Sequence, residues 1–456
     1  MSGRALRFAL VAVALVALTW LCVVLWWQRQ PLVLQPADVL LGLVAAPVAV
    51  CAIAALLWFG LRKAPAPQAA AQAQLGETTT VTPPVGEAWI LGVGIHTAAG
   101  TSTESVCEAI ETGASQPAPC DEIVDFAGLP VRLARVAELP SETRIDGRDS
   151  VLDQPFDIPE SVARALALLP GALVPVLADL VAAMPPPVSA HAQPRSLPVM
   201  IRVVLPALWS DAEISRVQQR IERLIADFWS EALPPMAMTR ASEGITALRE
   251  IDAWLADTRQ PRGLLLVALD SLIDLAQIET ASGDGRLYRH DHPEGMVPGE
   301  AVTTLLLARP DMSVGMAPVA RLNASLCSAR NAEPRRVLPV DASALEGLFA
   351  LSMSAGACNA DDIAAVVCDG DVRPTRAVEV AVAMNKALPH LDPVANRLAL
   401  GAAFGDLGVA GAALGLALAA HKTQETQKPT LFASLSDPLA RGVALLLPYE
   451  PEPATT

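Results

Sequence analysis

Two apolar runs near the N-terminus constrain this chain more than any other feature of it. Leu6–Trp27 carries one charge, Arg7 at its start, and ends in Trp26-Trp27, while Val39–Leu61 carries none and holds Trp58 near its end. A helix needs about 20 such residues to cross a bilayer core of about 30 Å. Core helices of soluble domains rarely stay uncharged on every face. The pattern predicts two membrane spans, at about 6–27 and 39–61, forming a transmembrane hairpin over residues 1–63. The first run is too long for the apolar region of a cleaved signal peptide, and a second follows almost at once. The connection QRQPLVLQPAD contains Pro31 and Pro36, which break helices.

Positive flanks orient the hairpin. Arg4 and Arg7 lie at its start and Arg62-Lys63 at its end, while the turn holds only Arg29. Basic residues stay on the cytoplasmic side, so both ends are expected there, and with them everything after Lys63. The expected location is a bacterial inner membrane, crossed twice, with a cytoplasmic body. Residues 1–63 contain five basic groups and one acid, a net of +4, and the whole chain is −15, so the remainder carries −19. An acidic body disfavours nucleic acid and anionic lipid surfaces as partners. Of the seven cysteines, Cys22 and Cys51 lie in the apolar runs, and the other five are scattered without Cys-x-x-Cys spacing. Free thiols in a reducing compartment are expected, with neither a disulfide framework nor a zinc site.

Residues 64–87, rich in Ala, Pro, Gln and Thr, read as a flexible linker. From Ala88 the pattern changes: short apolar strands such as AWILGVGIH, LPVMIRVVLP, GLLLVALDS and AVTTLLLAR alternate with helical segments. Helices are expected at about 101–113, 211–233, 244–257, 342–356, 373–387 and 409–421, and a hairpin around FAGLPVRLARV. Pro159–Met184 reads as a helical segment interrupted by Pro170-Gly171 and Pro175. Alternation of strand and helix predicts a layered α/β body in two parts, 88–330 and 331–448, with a disordered tail at 449–456.

Several stretches together carry a family resemblance. AWILGVGIHTAAGTSTESVCEAIETGAS resembles the opening of β-ketoacyl synthases, with a Gly-x-Gly strand, a small-residue turn and a helix reaching Gly-x-Ser. RGLLLVALDSLID resembles the central strand of that family, and HPEGMVPGEAVTTLLLAR the approach to the last strand of its first half. DIAAVVCDGDVRPTRAVEVAVAM and GAAFGDLGVAGAALGLALAA stand where the family keeps its two catalytic-histidine motifs, and LFASLSDPLARGVALLL resembles its terminal hairpin. The resemblance covers about Ala88–Pro448 and implies a thiolase-like, duplicated α/β/α body behind the transmembrane hairpin.

The same resemblance implies where catalytic groups belong. A nucleophilic Cys is expected at the N-terminus of the helix before GLLLVALDS, where the helix dipole lowers its pKa. That place falls on Ala241, with Ser242 beside it. Ser242 reads as a helix N-cap in preference to a nucleophile, since none of its chain neighbours is a His to act as base. The first histidine motif reads Cys368-Asp369-Gly370-Asp371, and the second has Gly405 or Asp406 in place of histidine, depending on one gap. The lysine that usually precedes the second motif is also missing, and Glu379 has the position of a structural carboxylate. No catalytic residue is expected, and Ala241, Ser242, Asp369, Gly405 and Asp406 are the degenerate positions.

Other chemistries fail. His290 and His292 alternate on an extended segment, but no further ligand cluster accompanies them, and Arg286 and Arg289 add positive charge. The stretch reads as punctuation before a buried strand. DGDVRP and SGDGR do not continue as calcium loops, and no phosphate-cradling motif or third glycine for a dinucleotide site exists. No cofactor and no metal is expected.

Two classes of function remain in view. One is a membrane-tethered adaptor or scaffold for a protein partner or effector cargo, a general pattern similar to the lipase adaptors of bacterial type VI secretion. The other is an acyltransferase that uses Ser242 with Asp369 or Asp406 in new roles. A third reading is a non-catalytic partner subunit of an active ketosynthase. The resemblance implies a dimer and leaves an acyl carrier among the partners. The missing Cys-His-His set favours the first and third readings.

Overall fold

The computed structural model describes residues 86–139, 158–184, 197–229, 232–242, 244–310, 312, 315–323, 325–329 and 340–450. The expected spans, the linker as far as residue 85 and the tail from 451 lie outside these residues. The chain divides into two compact units, Met1–Thr79 and Thr80–Thr456, and the description concerns the second.

Its first half runs β1 (Glu87–His96), α1 (Thr103–Glu111), β2 (Ala118–Val124), β3 (Pro130–Leu133), α2 (Glu160–Ala183) and β4 (Val199–Pro206). It continues through α3 (Asp211–Phe228), β5 (Met236–Ala241), α4 (Thr246–Ala256), β6 (Gly263–Ser271), α5 (Leu275–Gly283) and β7 (Glu300–Ala308). The second half runs β8 (Ala320–Asn323), β9 (Leu326–Ala329), α6 (Ser343–Ala355), β10 (Ala365–Asp371) and α7 (Pro374–Ala387). It closes with β11 (Arg397–Ala399), α8 (Leu400–Phe404), α9 (Gly411–Thr426), β12 (Thr430–Ser434) and β13 (Ala440–Leu447).

Strand order shows the duplication. The first half reads β5-β4-β6-β7-β1, and the second β11-β10-β12-β13 followed by β8, with β9 also on β13. In each half one strand has parallel partners on both sides: β4 between β5 and β6, β10 between β11 and β12. In each half the next two pairings are antiparallel. Parallel neighbours need a crossover, which the helices supply. The halves join where β1 pairs with β8, Ala88 opposite Leu322.

Three cores separate the layers. Alternate residues of β4 and β6, such as Ile201 and Leu265, pack with α2 and α3, and those of β10 and β12, such as Val366 and Leu431, pack with α6 and α7. Between the halves, the opposite faces of the two parts of this continuous sheet meet α4 and α9. GAALGLALAA in α9 is buried along its whole length, which small side chains permit between the two parts. β6 is buried at all nine positions, so GLLLVALDS needs no polar face.

The helix at 160–183 differs from expectation. It is continuous through Pro170 and Pro175. Twelve of its residues are buried, and that packing over β1, β6 and β7 outweighs the backbone bonds the prolines forfeit. Gly94 permits the approach: a Cβ there would stand 1.9 Å from Ala172 O. Among the described residues this is the one helix long and apolar enough to cross a membrane, yet half of it is buried within the body. At the other end, Tyr449, assigned to the tail, lies edge-on to Trp89 with ring centroids 5.5 Å apart.

Candidate functional site

The C-terminal ends of β5 and β6, the segment after α8 and the turn after β12 surround a cavity of about 1160 Å³. Its wall includes Ala241, Ser242, Asp270, His292, Arg373 and Asp406. The structure therefore brings together three of the five positions singled out from sequence. Gly405 and Asp369 are not in that wall.

Ala241 does not open a helix. It ends β5, an edge strand that sequence reading missed because MAMTRA has no continuous apolar run. Helix α4 begins only at Thr246, with Ile245 as an N-cap that makes no side-chain bond. Ser242 is thus a turn residue, not the N-cap.

The turn after α8 gives Gly405 and Asp406 different parts. Gly405 has φ +66°, and a Cβ there would stand 2.4 Å from Val297 O. The segment is strapped to its neighbour by Asp406 N donating to Val297 O (2.7 Å) and Gly299 N donating to Asp406 O (3.0 Å). Asp406 supplies the side chain that reaches the cavity. Its Oδ1 accepts from Gly408 N (3.0 Å), and Arg373 Nη2 lies 3.7 Å from Oδ2. Arg373 also donates to Ser436 O at 3.1 Å, tying three segments of the wall.

Asp270, unremarked in the sequence, is the most unusual group in the cavity. It is 3% exposed; Oδ2 accepts from Val409 N at 3.0 Å, and Oδ1 has no hydrogen-bond partner. Burial pushes its carboxyl up to about 7, with Asp406 adding to the rise and the Val409 and Ser271 amides opposing it. A buried carboxylic acid of this kind exchanges a proton near neutral pH.

Asp369 has a different occupation. Its carboxylate accepts from Ser434 Oγ (2.5 Å), Ser436 N (3.1 Å), Ser436 Oγ (3.2 Å) and Leu435 N. Burial raises its pKa, and these four donors counter that rise. The residue clasps the end of β10 to the end of β12. Glu379 is likewise engaged in packing, fully buried and bidentate with Arg441 at 2.8 and 3.1 Å.

The stretch GRLYRHDHPEGMVPGEAVTTLLLAR is a tight hairpin followed by β7. Arg289 and His292 exchange backbone bonds at its tip, and Tyr288 N donates to Met296 O. It is more than punctuation, because His292, Glu294 and Met296 line the cavity. Glu294 also accepts from Thr375 N (3.1 Å) and Thr375 Oγ1 (2.6 Å), capping the first turn of α7 from a distance. No sequence signal could have linked these residues to Ser242, since the link is spatial.

Among the described residues no group of three or more His, Cys, Asp or Glu is placed to hold a metal ion. None of the described cysteines lines this cavity. Burial pushes Cys107 up to about 12 and Cys368 up to about 11, so both stay thiols at neutral pH. The cavity offers hydroxyls, an imidazole, a neutral-pH carboxyl and a guanidinium.

No protein-family profile matches the chain, and no curated protein matches it. Solved structures do. The ishigamide ketosynthase/chain length factor is 16% identical with a TM-score of 0.51, covering 80% of this chain and 100% of that one. The AntDE:AntF structure, a type II PKS acyl-carrier protein in complex with its ketosynthase bound to the hexaketide, is 12% identical with a TM-score of 0.55, covering 81% and 100%. A β-ketoacyl synthase from Burkholderia phymatum STM815 is 14% identical with a TM-score of 0.52, covering 80% and 100%. At these identities the likeness concerns the fold, and the body of this chain has the ketosynthase-like thiolase fold.

Proposed function

We propose that this chain is a membrane-tethered, non-catalytic thiolase-fold protein that serves as an adaptor or scaffold for a protein partner. One observation carries the reading: the cavity beside Ala241 and Ser242 has no cysteine in its described wall, while Asp369 is committed to four donors. The two apolar runs would hold the body at the cytoplasmic face of a bacterial inner membrane, behind the 64–87 linker. Effector loading for type VI secretion fits that placement by analogy alone.

A second reading, a non-catalytic partner of an active ketosynthase, draws on the paired ketosynthase/chain length factor among the structural neighbours. β5, the edge strand of this sheet, would be the pairing element. An acyl carrier is a partner by the same route, since one neighbour is a complex with such a carrier.

The test is intact mass of the full chain in detergent after incubation with acyl-CoA and acyl-carrier protein. No adduct is expected. A stable adduct that disappears in Ser242→Ala would overturn the reading in favour of a serine acyltransferase.

A further inference from the structure

A second cavity, of about 400 Å³, lies beside the end of β10 and is walled by α7, α8, the β2–β3 hairpin and the segment around Tyr288. Its wall has a single sign of charge. Three arginines line it, Arg132, Arg376 and Arg397, and none of its lining side chains is acidic. In a chain with 48 acids against 33 bases, that sorting is notable for running against the overall composition. The other polar side chains of the wall, Gln116 and Tyr288, can both donate hydrogen bonds.

The arginines reach the cavity from three places far apart in the chain. Arg132, on β3, uses Nε and Nη2 to hold Pro117 O at 3.3 and 2.9 Å. Arg397, on β11, donates Nη1 to Ala377 O at 3.0 Å, and its Nε is buried with no hydrogen-bond partner. Arg376, on α7, is 1% exposed. Between them the wall is aliphatic. Cys368, also in the wall, registers the field: burial drives its thiol up, and Arg397 pulls against that rise.

We propose that this cavity binds a small organic oxyanion, its carboxylate or phosphate held by Arg132, Arg376 and Arg397 and its apolar part by Val297, Val372 and Val380. Guanidinium forks match either oxyanion in a bidentate manner, and a low-dielectric wall strengthens the bonds. An uncharged molecule of the same shape would gain no charge-assisted bond from this wall. The assignment is independent of what the larger cavity does.

The experiment uses the full chain in detergent micelles, titrated calorimetrically with phenyl phosphate, hexanoate, inorganic phosphate and benzyl alcohol. Phenyl phosphate and hexanoate should bind and raise the melting temperature, and benzyl alcohol should do neither. Arg132→Gln, at an exposed position, and Arg397→Gln should each weaken binding about tenfold or more. Silence from both organic anions, with a native circular-dichroism spectrum, would overturn the assignment. So would binding that is unchanged in both variants. Equal affinity for inorganic phosphate would overturn its organic part.

Discussion

Asp270 occupies the space that a side chain at position 408 would need: a Cβ on Gly408 would stand 1.9 Å from Asp270 Oδ2. Gly408 also has φ +53°, where a side chain is strained in any surroundings. Gly408→Ala should therefore destabilise the fold by at least about 1–3 kcal/mol, measured as a drop in melting temperature. Removing the carboxylate with Asp270→Ala in the same chain should recover the steric share of that loss and leave the backbone share. Strictly additive effects of the two substitutions would refute the contact.

Asp270 should also shape stability against pH. Its folded pKa, about 7, lies above the unfolded value of 3.8, so between these limits the folded state binds the extra proton. Stability from this group is full below about pH 4 and declines as pH rises to about 7. The groups facing it are Asp406, which raises the pKa, and the Val409 and Ser271 amides, which lower it. Asp270→Asn keeps an acceptor for Val409 N and cannot ionise. It should melt higher than the parent at pH 8, by an amount of the order of 4 kcal/mol or less, and show little difference at pH 4. Parallel pH profiles for the two proteins would contradict the assignment.

Asp369 gathers Ser434 Oγ, Leu435 N, Ser436 N and Ser436 Oγ. Asp369→Ala strands these donors where water is scarce, at roughly 1–3 kcal/mol for each donor left unpaired. The expected result is a protein that fails to fold or melts far below the parent. Asp369→Asn retains part of the acceptor capacity and should fall between them. Hydrogen exchange at the 435 and 436 amides should rise first.

Glu379→Gln tests a buried ion pair. Both Glu379 and Arg441 are fully buried, so neutralising one partner leaves an uncompensated guanidinium. The loss should be about 3–5 kcal/mol, well above that of an exposed pair such as Arg135–Glu122. Chemical denaturation at fixed ionic strength measures it, and the effect should be insensitive to added salt.

The layered architecture was legible because its central strands are apolar at every position, as in Gly263–Ser271, and because helical periods alternate with them. β5 was not, since an edge strand can be half polar, and MAMTRA has no continuous apolar run. The continuity of α2 was hidden for a different reason: prolines signal breaks locally, while the burial that overrides them comes from β1 and β7. At the large cavity, Ala241, Ser242 and Asp406 were singled out through the resemblance, although the helix start expected at the first two is the end of a strand and a turn. Asp270 and His292 could not, because what makes each matter lies across the fold. The arginine-lined cavity is the extreme case, assembled from Arg132, Arg376 and Arg397 on three separate elements.

The clasp at Asp369 limits what else can stand at that position. A histidine introduced there presents at most one acceptor nitrogen, where the carboxylate now serves four donors. A histidine in place of Asp369 would therefore weaken the junction of β10 and β12. Ser434 and Ser436 would have to change in concert. The aspartate and the two serines thus act as one unit, and a change at any of the three leaves the others without their partners.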